Sequence, residues 1–359
     1  MFFHVVTLET VTPKFTIVML HVRVVKFGGA CLTHKDTKHS LNHEHIAWFV
    51  KVVKAMHAAR RSDEMLVLVH GAGSFGHHEA QQFALQLGRD VRVPQQPLGF
   101  AQTHSCVLKL HAHLLEQLCV SQVPALGISP LLHLSPPAAS FFSHLEFAAG
   151  EMGLVPVLHG DVCLREKSDA KFGILSGDVI VEMVCKHYAS RVRQVVFVTN
   201  VPGVYVQWPL ACGAGKHHGL IHTVSLNRND NSVQFRLFSG DHVMNSQFSH
   251  STVVGSGDSG GGSSGGSSGD SGSSGSNGSG CADGNNDGSG SAKNEVIIVN
   301  NENDVTGGIK QKIASCLSIV QNQWAKCVII AESQSPSAWN ILTSDSCDDD
   351  TICTRVISD

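Results

Sequence analysis

Apolar residues along this chain fall in short blocks that alternate with stretches of helical spacing. Residues 22–29, VRVVKFGG, are a nearly unbroken apolar run that ends in a lysine and two glycines. That is the pattern of a buried strand entering a tight turn. Residues 43–61 place apolar side chains at helical intervals. Residues 64–88 read as strand, glycine loop and helix, and residues 99–129 as a long helix followed by a short strand. Residues 153–164 predict a strand with a turn. Residues 173–205 predict a loop, a helix and a very apolar strand, QVVFVTN. Strands alternate with helices, and several strands lack a polar face. Together they predict an α/β fold with a parallel sheet covered on both sides.

The pattern then changes. Residues 210–254 are polar and mixed, and residues 255–292 are nearly all Gly, Ser, Asp and Asn. Such a composition cannot bury enough apolar surface to offset chain entropy, and it predicts a flexible loop. Regular blocks return at 294–300, 304–321, 326–333 and 352–358. The organisation expected is an N-terminal extension over 1–21, then one domain over 22–359 interrupted by an insertion at about 210–293. Closing a long loop costs entropy that grows only logarithmically, so one domain can carry it. Met19 lies just before the first strand, so residues 1–18 are expected to carry little structural weight.

Composition narrows the classes. The chain has 359 residues, 42% hydrophobic and 16% charged, with a net charge of −4. There is no strong basic field, which disfavours nucleic acid as partner. Eleven cysteines include no CxxC pair, and their number is odd. Neither a disulfide framework nor a zinc knuckle is indicated, no metal site is predicted, and the thiols read as reduced and buried. Most of the 22 histidines read as surface or satisfied core residues. No apolar run reaches the ~18 residues of a membrane span, and the N-terminus lacks the order of a signal peptide. The expected location is the cytoplasm.

Candidate chemistry sits on the glycines. Four glycine turns fall at or near strand ends: Gly28-Gly29, Gly71 to Gly76, Gly160-Asp161 and Gly177-Asp178. In an open parallel sheet the carboxyl ends of the strands form the binding edge, and glycines there let backbone N–H groups approach an anion. The run HGAGSFGH (70–77) departs from a P-loop, which would follow its glycines with Lys and then Ser or Thr. It ends instead in His77, followed by His78. Lys26 closes a buried apolar strand and so needs an anionic partner. Lys35 lies in the next loop, and Lys312 begins a helix four residues past Gly308. Phosphoryl transfer needs such positive charge on the moving group.

The start K-x-G-G, the HGAGSFGH loop, LSGD (175–178) and DVTGG (304–308) together resemble the isopentenyl phosphate kinases of the amino acid kinase superfamily. The resemblance extends over about 22–205 and from about 294 onward, and the Gly/Ser insertion lies outside it. It implies an open αβα sandwich with an eight-stranded, mainly parallel sheet. It also implies transfer of phosphate from MgATP to isopentenyl phosphate, a step of isoprenoid biosynthesis. By motif, His77 would hydrogen-bond the acceptor phosphate, while Gly71, Ala72, Gly73, Gly76 and Gly160 would surround it. Lys26 and Lys35 would neutralise the moving group. Gly28, Gly29, Ser176, Gly177, Asp178, Gly307 and Lys312 would serve the nucleotide, and Asp161 would help organise the lysines. His70 reads as structural, and the resemblance gives His78 no role. ATP and Mg2+ are the implied co-substrates, a small prenyl phosphate is the partner, and a homodimer is compatible with the family. An apolar pocket for the prenyl tail would draw on Phe83, Phe100 and Ile128.

The chain also departs from the pattern. Ala30 stands where a Ser or Thr follows K-x-G-G, and Asn200 and Pro202 replace two acidic residues near the nucleotide. Weaker nucleotide affinity is expected. Lys310 competes with Lys312 for its role, with spacing in favour of Lys312. Two alternatives stand beside this reading: a related small-molecule kinase such as a fosfomycin-type enzyme, or a catalytically weak nucleotide-binding regulatory protein.

Overall fold

The computed structural model describes residues 20–130, 139–165, 168–207, 219–238, 243–244, 297–298, 308–344 and 346–358. Most of the expected N-terminal extension and of the Gly/Ser insertion therefore lies outside the described residues. The first half of the chain runs β1 (His21–Phe27), α1 (Gly29–Leu32), α2 (His43–Ala59), β2 (Glu64–His70), a 3-10 turn (Gly73–Phe75), α3 (His77–Gln82), α4 (Gln96–Val120), β3 (Ala125–Gly127) and α5 (Ala139–Glu146). Next come β4 (Val155–His159), β5 (Asp161–Arg165), β6 (Lys171–Leu175), α6 (Gly177–His187), β7 (Val192–Thr199) and β8 (Val204–Gln207). The last part holds β9 (Leu220–Leu226), β10 (Val233–Leu237), β11 (Val243–Met244), β12 (Ile297–Ile298), α7 (Gly308–Gln321), β13 (Cys327–Glu332), α8 (Pro336–Ser344) and β14 (Thr354–Ser358).

The strands lie in the order β11-β10-β9-β14-β13-β7-β1-β2-β4-β3, with β8 and β12 branching from β9. The middle of the sheet, from β13 to β3, is parallel throughout. The expectation of eight strands is corrected to twelve among the described residues. Two differences account for part of the increase. Residues 219–238, which show no clear periodicity in sequence, pair as the antiparallel β9 and β10. Strand β8 turns back on β9, and the short β12 pairs with it. A separate hairpin, β5 with β6, replaces the loop expected before α6. Strands on both sides of residues 245–296 share the one sheet, and β9, β10 and β11 place part of the span expected as insertion within it.

Alternation along β1 explains how the sheet is covered. Val22 and Val24 point to one face and Val25 and Phe27 to the other, as the two-residue period of a strand dictates. The first face packs against α5, α6 and α7 through residues such as Leu145, Val181, Cys316 and Val320. The second packs against α2, α4 and α8 through Phe49, Val53, Leu110, Leu114 and Ile341. Helix starts are set locally: the Asn42 side chain accepts from the N–H of His45 (3.2 Å) and that of Ser176 from Val179 (3.3 Å). No helix among the described residues is long and apolar enough to cross a membrane. The described cysteines are free thiols.

Candidate active site

Strand register gathers the polar ends of the central strands at one edge. Lys26 pairs with Val69 and Phe197, and His70 with Phe27 and His159. Their turns open onto a cavity of about 490 Å3 at the carboxyl edge of the sheet. Of the sequence-predicted site residues, the cavity brings together Lys26, Gly28, Gly29 and Lys35 from the first turn, and Gly71, Ala72, Gly76 and His77 from the second. Gly160, Asp161, Ser176, Gly177, Asp178 and Lys312 complete it. Gly73 is buried behind the loop and does not line it. Gly307 lies outside the described residues, and of Lys310 only the backbone is described.

The floor of the cavity is a buried charge cluster. Lys26 shares its face of the sheet with Val22 and Val24, which is the face α6 covers, and Asp178 sits in the first turn of α6. The Lys26 ammonium donates to Asp178 Oδ1 at 2.5 Å, and the Lys312 ammonium to the same oxygen at 3.4 Å. Both cations also lie over the Phe197 ring, at 5.7 and 5.3 Å from its centroid. Burial alone would raise the Asp178 carboxyl, but the two ammonium groups outweigh it and hold it below its ordinary value. Burial and the neighbouring Lys312 carry Lys26 below the ordinary lysine value against the pull of Asp178. Burial opposes the charge on Lys312 as well, but there Asp178 wins and raises it. Two cations on one anion leave the cluster with an excess positive charge facing the cavity. Asp161, expected to help organise the lysines, instead accepts from His104 Nδ1 (2.7 Å) and the N–H of Val162 (2.8 Å).

Glycine is needed where the first two turns meet backbone to backbone. A Cβ on Gly71 would fall 2.6 Å from Gly29 N, and a Cβ on Gly29 would collide with the backbone of Gly73. Gly73 adopts φ +53°, the left-handed region that glycine enters freely. The N–H groups of Gly28, Gly71 and Gly160 are given to the carbonyls of Val198, Phe27 and His70, and that of Gly76 to Gly73. For these four the structure records loop closure where the sequence suggested donation to phosphate. We expect Gly29→Ala to lower stability by about 1–3 kcal/mol, because neither backbone can yield without separating the loops. Urea unfolding measures it, and an unchanged midpoint would contradict this packing.

His77 opens α3 and lines the cavity, half-buried. His78 points the other way. Its Nε2 lies 3.2 Å from the Lys35 carbonyl, which can only accept, so Nε2 carries the proton and ties the Lys35 loop to α3. His70 is buried, as its structural reading requires. Its Nδ1 donates to the Gly71 carbonyl (3.1 Å), which leaves Nε2 to accept from His111 Nδ1 (2.9 Å). His159 stacks on His70 and lies tilted against His111, its ring centroid 4.4 Å away. Gly127 leaves the room for this, since a Cβ there would strike His111.

Burial holds all three rings neutral: His70 well below its ordinary value, His111 at about 4 and His159 at about 3. The unfolded chain protonates them below about pH 6.5, where the folded chain does not. Their contribution is therefore complete above pH 6.5 and is lost as the pH falls toward 4, each ring adding a slope of about 1.4 kcal/mol per pH unit. Asp161, pushed up to about 6 by burial, works in the opposite sense between pH 4 and 6. Three rings outweigh one carboxyl, so stability falls on acidification. Thermal unfolding at pH 7 and pH 5 checks this, and an equal or higher Tm at pH 5 would contradict it.

The apolar wall is not built from the three prenyl-tail candidates, which take the ordinary core-packing role open to each of them. Phe83, Phe100 and Ile128 do not line the cavity. Phe83 and Phe100 pack with Leu85 and Phe172 in a small satellite core, and Ile128 packs against the main core. The wall is made instead by Ala80, Thr103, Val107, Ile174 and Leu175. Sequence reasoning missed it because the wall draws on two residues each from α4 and β6 whose neighbours are ordinary core. Asn200 lines the opposite side with Thr199 and Val201, while Pro202 does not.

Comparison with known proteins fits this geometry. The chain is 29% identical over 195 residues to the isopentenyl phosphate kinase of Methanothermobacter thermautotrophicus, covering 52% of this chain and 70% of that protein. It is 35% identical over 147 residues to the isopentenyl phosphate kinase of Arabidopsis thaliana, covering 40% and 43%. A solved isopentenyl phosphate kinase superposes with a TM-score of 0.56 at 19% identity, over 93% of this chain and all of the other, which shows a shared fold. The sequence model of the amino acid kinase family matches residues 21–235, and with that span, which carries all four glycine turns, the chain belongs to the amino acid kinase family.

Proposed function

We propose that this protein transfers the γ-phosphoryl group of ATP to isopentenyl phosphate, giving isopentenyl diphosphate and ADP. The observation that carries the reading is the pairing of a buried, excess-positive Lys26–Asp178–Lys312 cluster with a cavity histidine, His77, at the end of HGAGSFGH. The relatives named above support the choice of acceptor. A phosphate monoester carries most of two negative charges near neutral pH, and an imidazole at the rim of the glycine loop can donate to it. Lys35, on the exposed rim, faces the same cavity. In the reaction a terminal oxygen of the acceptor phosphate bonds to the γ-phosphorus while the bond from that phosphorus to the β–γ bridging oxygen breaks. Lys26 and Lys312 supply charge where the equatorial oxygens pass, by position alone. The prenyl tail would lie along Ala80, Val107 and Ile174.

ATP implies magnesium, but the chain offers it little. Both carboxylates that line the cavity are engaged, Asp178 by two lysines and Asp161 by His104, and Asn200 brings an amide. These residues do not form a magnesium site of their own. The ion would be held by nucleotide oxygens and water. The cytoplasmic setting expected from the sequence and the homodimer compatible with the resemblance belong to this reading too.

Phosphorus NMR of a mixture of protein, MgATP and isopentenyl phosphate tests the reaction: a new diphosphate signal is expected, and its absence with ATP intact would overturn the reading. His77→Ala should lower kcat/KM by about one to two decades, from the loss of a charge-assisted bond worth roughly 1.5–3 kcal/mol. Steady-state kinetics measures that, and a wild-type rate would remove His77 from the site.

A further inference from the structure

The loop between α1 and α2 is anchored on the glycine loop. Thr33 and Leu41 form a bridge at its base, and Ser74 N–H donates to Thr33 Oγ1 (2.9 Å). Ser40 N–H donates to Ser74 Oγ (3.2 Å), and His39 N–H to the Ser74 carbonyl (3.3 Å). This anchoring carries the His39 side chain onto α3 and α4, beside Glu79 and Cys106. A ligand atom from each of the three lies within 4.8 Å of the other two. They are separated by 40 and 27 positions in sequence, so no spacing could reveal them.

Glu79 gives the cluster its direction. Its side chain is 3% exposed. Oε1 accepts from Lys38 Nζ (2.8 Å) and His39 Nε2 (2.9 Å). Oε2 is buried and has no hydrogen-bond partner among the described residues. A buried carboxylate oxygen without a donor is costly, and a cation is what it lacks. The donor set decides which cation. Magnesium and calcium take oxygen ligands, whereas one thiolate, one imidazole and one carboxylate suit zinc. Three protein ligands leave its fourth tetrahedral position to water.

We propose that His39, Glu79 and Cys106 form a zinc site that pins the loop bearing Lys35 to the helix bearing His77. As zinc binds, the Cys106 thiol releases its proton to solvent and the zinc–sulfur bond forms. Lys38, whose side chain is half exposed, swings away as the metal takes over the Glu79 charge. The proposal stands on these three residues and does not depend on the substrate of the cavity.

The test uses the full chain, stripped with a chelator and titrated with zinc and then with cobalt. One ion should bind per chain, and cobalt should show tetrahedral bands together with a thiolate charge-transfer band. Cys106→Ser should abolish that band and weaken zinc binding by roughly a hundredfold. His39→Asn should weaken it similarly while keeping the left-handed backbone at this position, φ 54°, which asparagine tolerates. Lys38→Met should tighten binding, because the ammonium competes for Glu79. Zinc should also slow hydrogen exchange in residues 33–41. Absence of binding, or binding that is the same in Cys106→Ser and His39→Asn because exposed histidines hold the ion, would overturn the proposal. None of these readings requires turnover, so the kinase reading is tested separately.

Discussion

Lys26→Met is expected to lower kcat by about a thousandfold or more while leaving the protein folded. Removing one preorganised donor from a water-poor site costs about 10²–10³ in rate, and cationic groups on a transferring phosphoryl reach further. Lys26 is 6% exposed and linked to the excess-charge cluster, so little water can substitute for it. The fold should survive because Asp178 keeps Lys312 as its partner at 3.4 Å. Methionine also fills the lysine stem's path over Phe197 without a charge to desolvate. Steady-state rates and Tm measured together decide the matter. A rate within tenfold of wild type would mean that Lys26 holds the fold and does no chemistry.

Asp178→Ala should have the opposite signature, with stability as the main loss. It leaves two buried ammonium groups over the Phe197 ring with no counter-charge. Breaking a buried ion pair from one side costs about 3–5 kcal/mol. The acidic first turn of α6 is lost as well, a smaller term of about 0.3–1 kcal/mol. Anions should rescue the variant: ATP or inorganic phosphate should raise its Tm more than that of wild type, since the ligand now supplies the missing charge. The double variant Lys26→Met with Asp178→Ala should be more stable than Asp178→Ala alone, because it removes one of the stranded cations. Additive losses would mean that the two side chains do not interact as the 2.5 Å contact indicates.

What was legible in the sequence was local. K-x-G-G, HGAGSFGH and the Ser176-Gly177-Asp178 turn each lie within a few residues, and each appears where strand, turn and helix starts meet. The cavity gathers them because a parallel sheet aligns its strand ends. The roles within the motifs were less legible. Gly29, Gly71 and Gly73 read equally well as phosphate donors or as packing glycines, and only the distance between two loops far apart in sequence separates the readings. The same holds for Asp161 and Asp178. Both follow a glycine at a turn, yet α6 carries one to the lysines while β5 carries the other to His104.

Long-range groupings left no trace in the sequence. His70, His111 and His159 come from β2, α4 and β4 and meet only because those elements pack. The prenyl candidates Phe83 and Phe100 are apolar residues near the glycine loop, but they pack into a satellite core. Smaller residues, Ala80 and Val107, leave the space that a cavity needs. Strand β9 gave no clean alternation because it lies inside the sheet between β10 and β14, where His222 and Thr223 are buried along with their apolar neighbours.

The most direct test of the central claim is ADP release by the purified protein with MgATP, comparing isopentenyl phosphate with acetylglutamate, UMP and fosfomycin as acceptors. The geometry predicts turnover on isopentenyl phosphate well above the other three. Equal or greater turnover on another acceptor would assign the cavity to a different kinase. ATP binding without turnover on any of them would mean that the changes at Asn200 and Pro202 mark a binding protein that has lost the reaction.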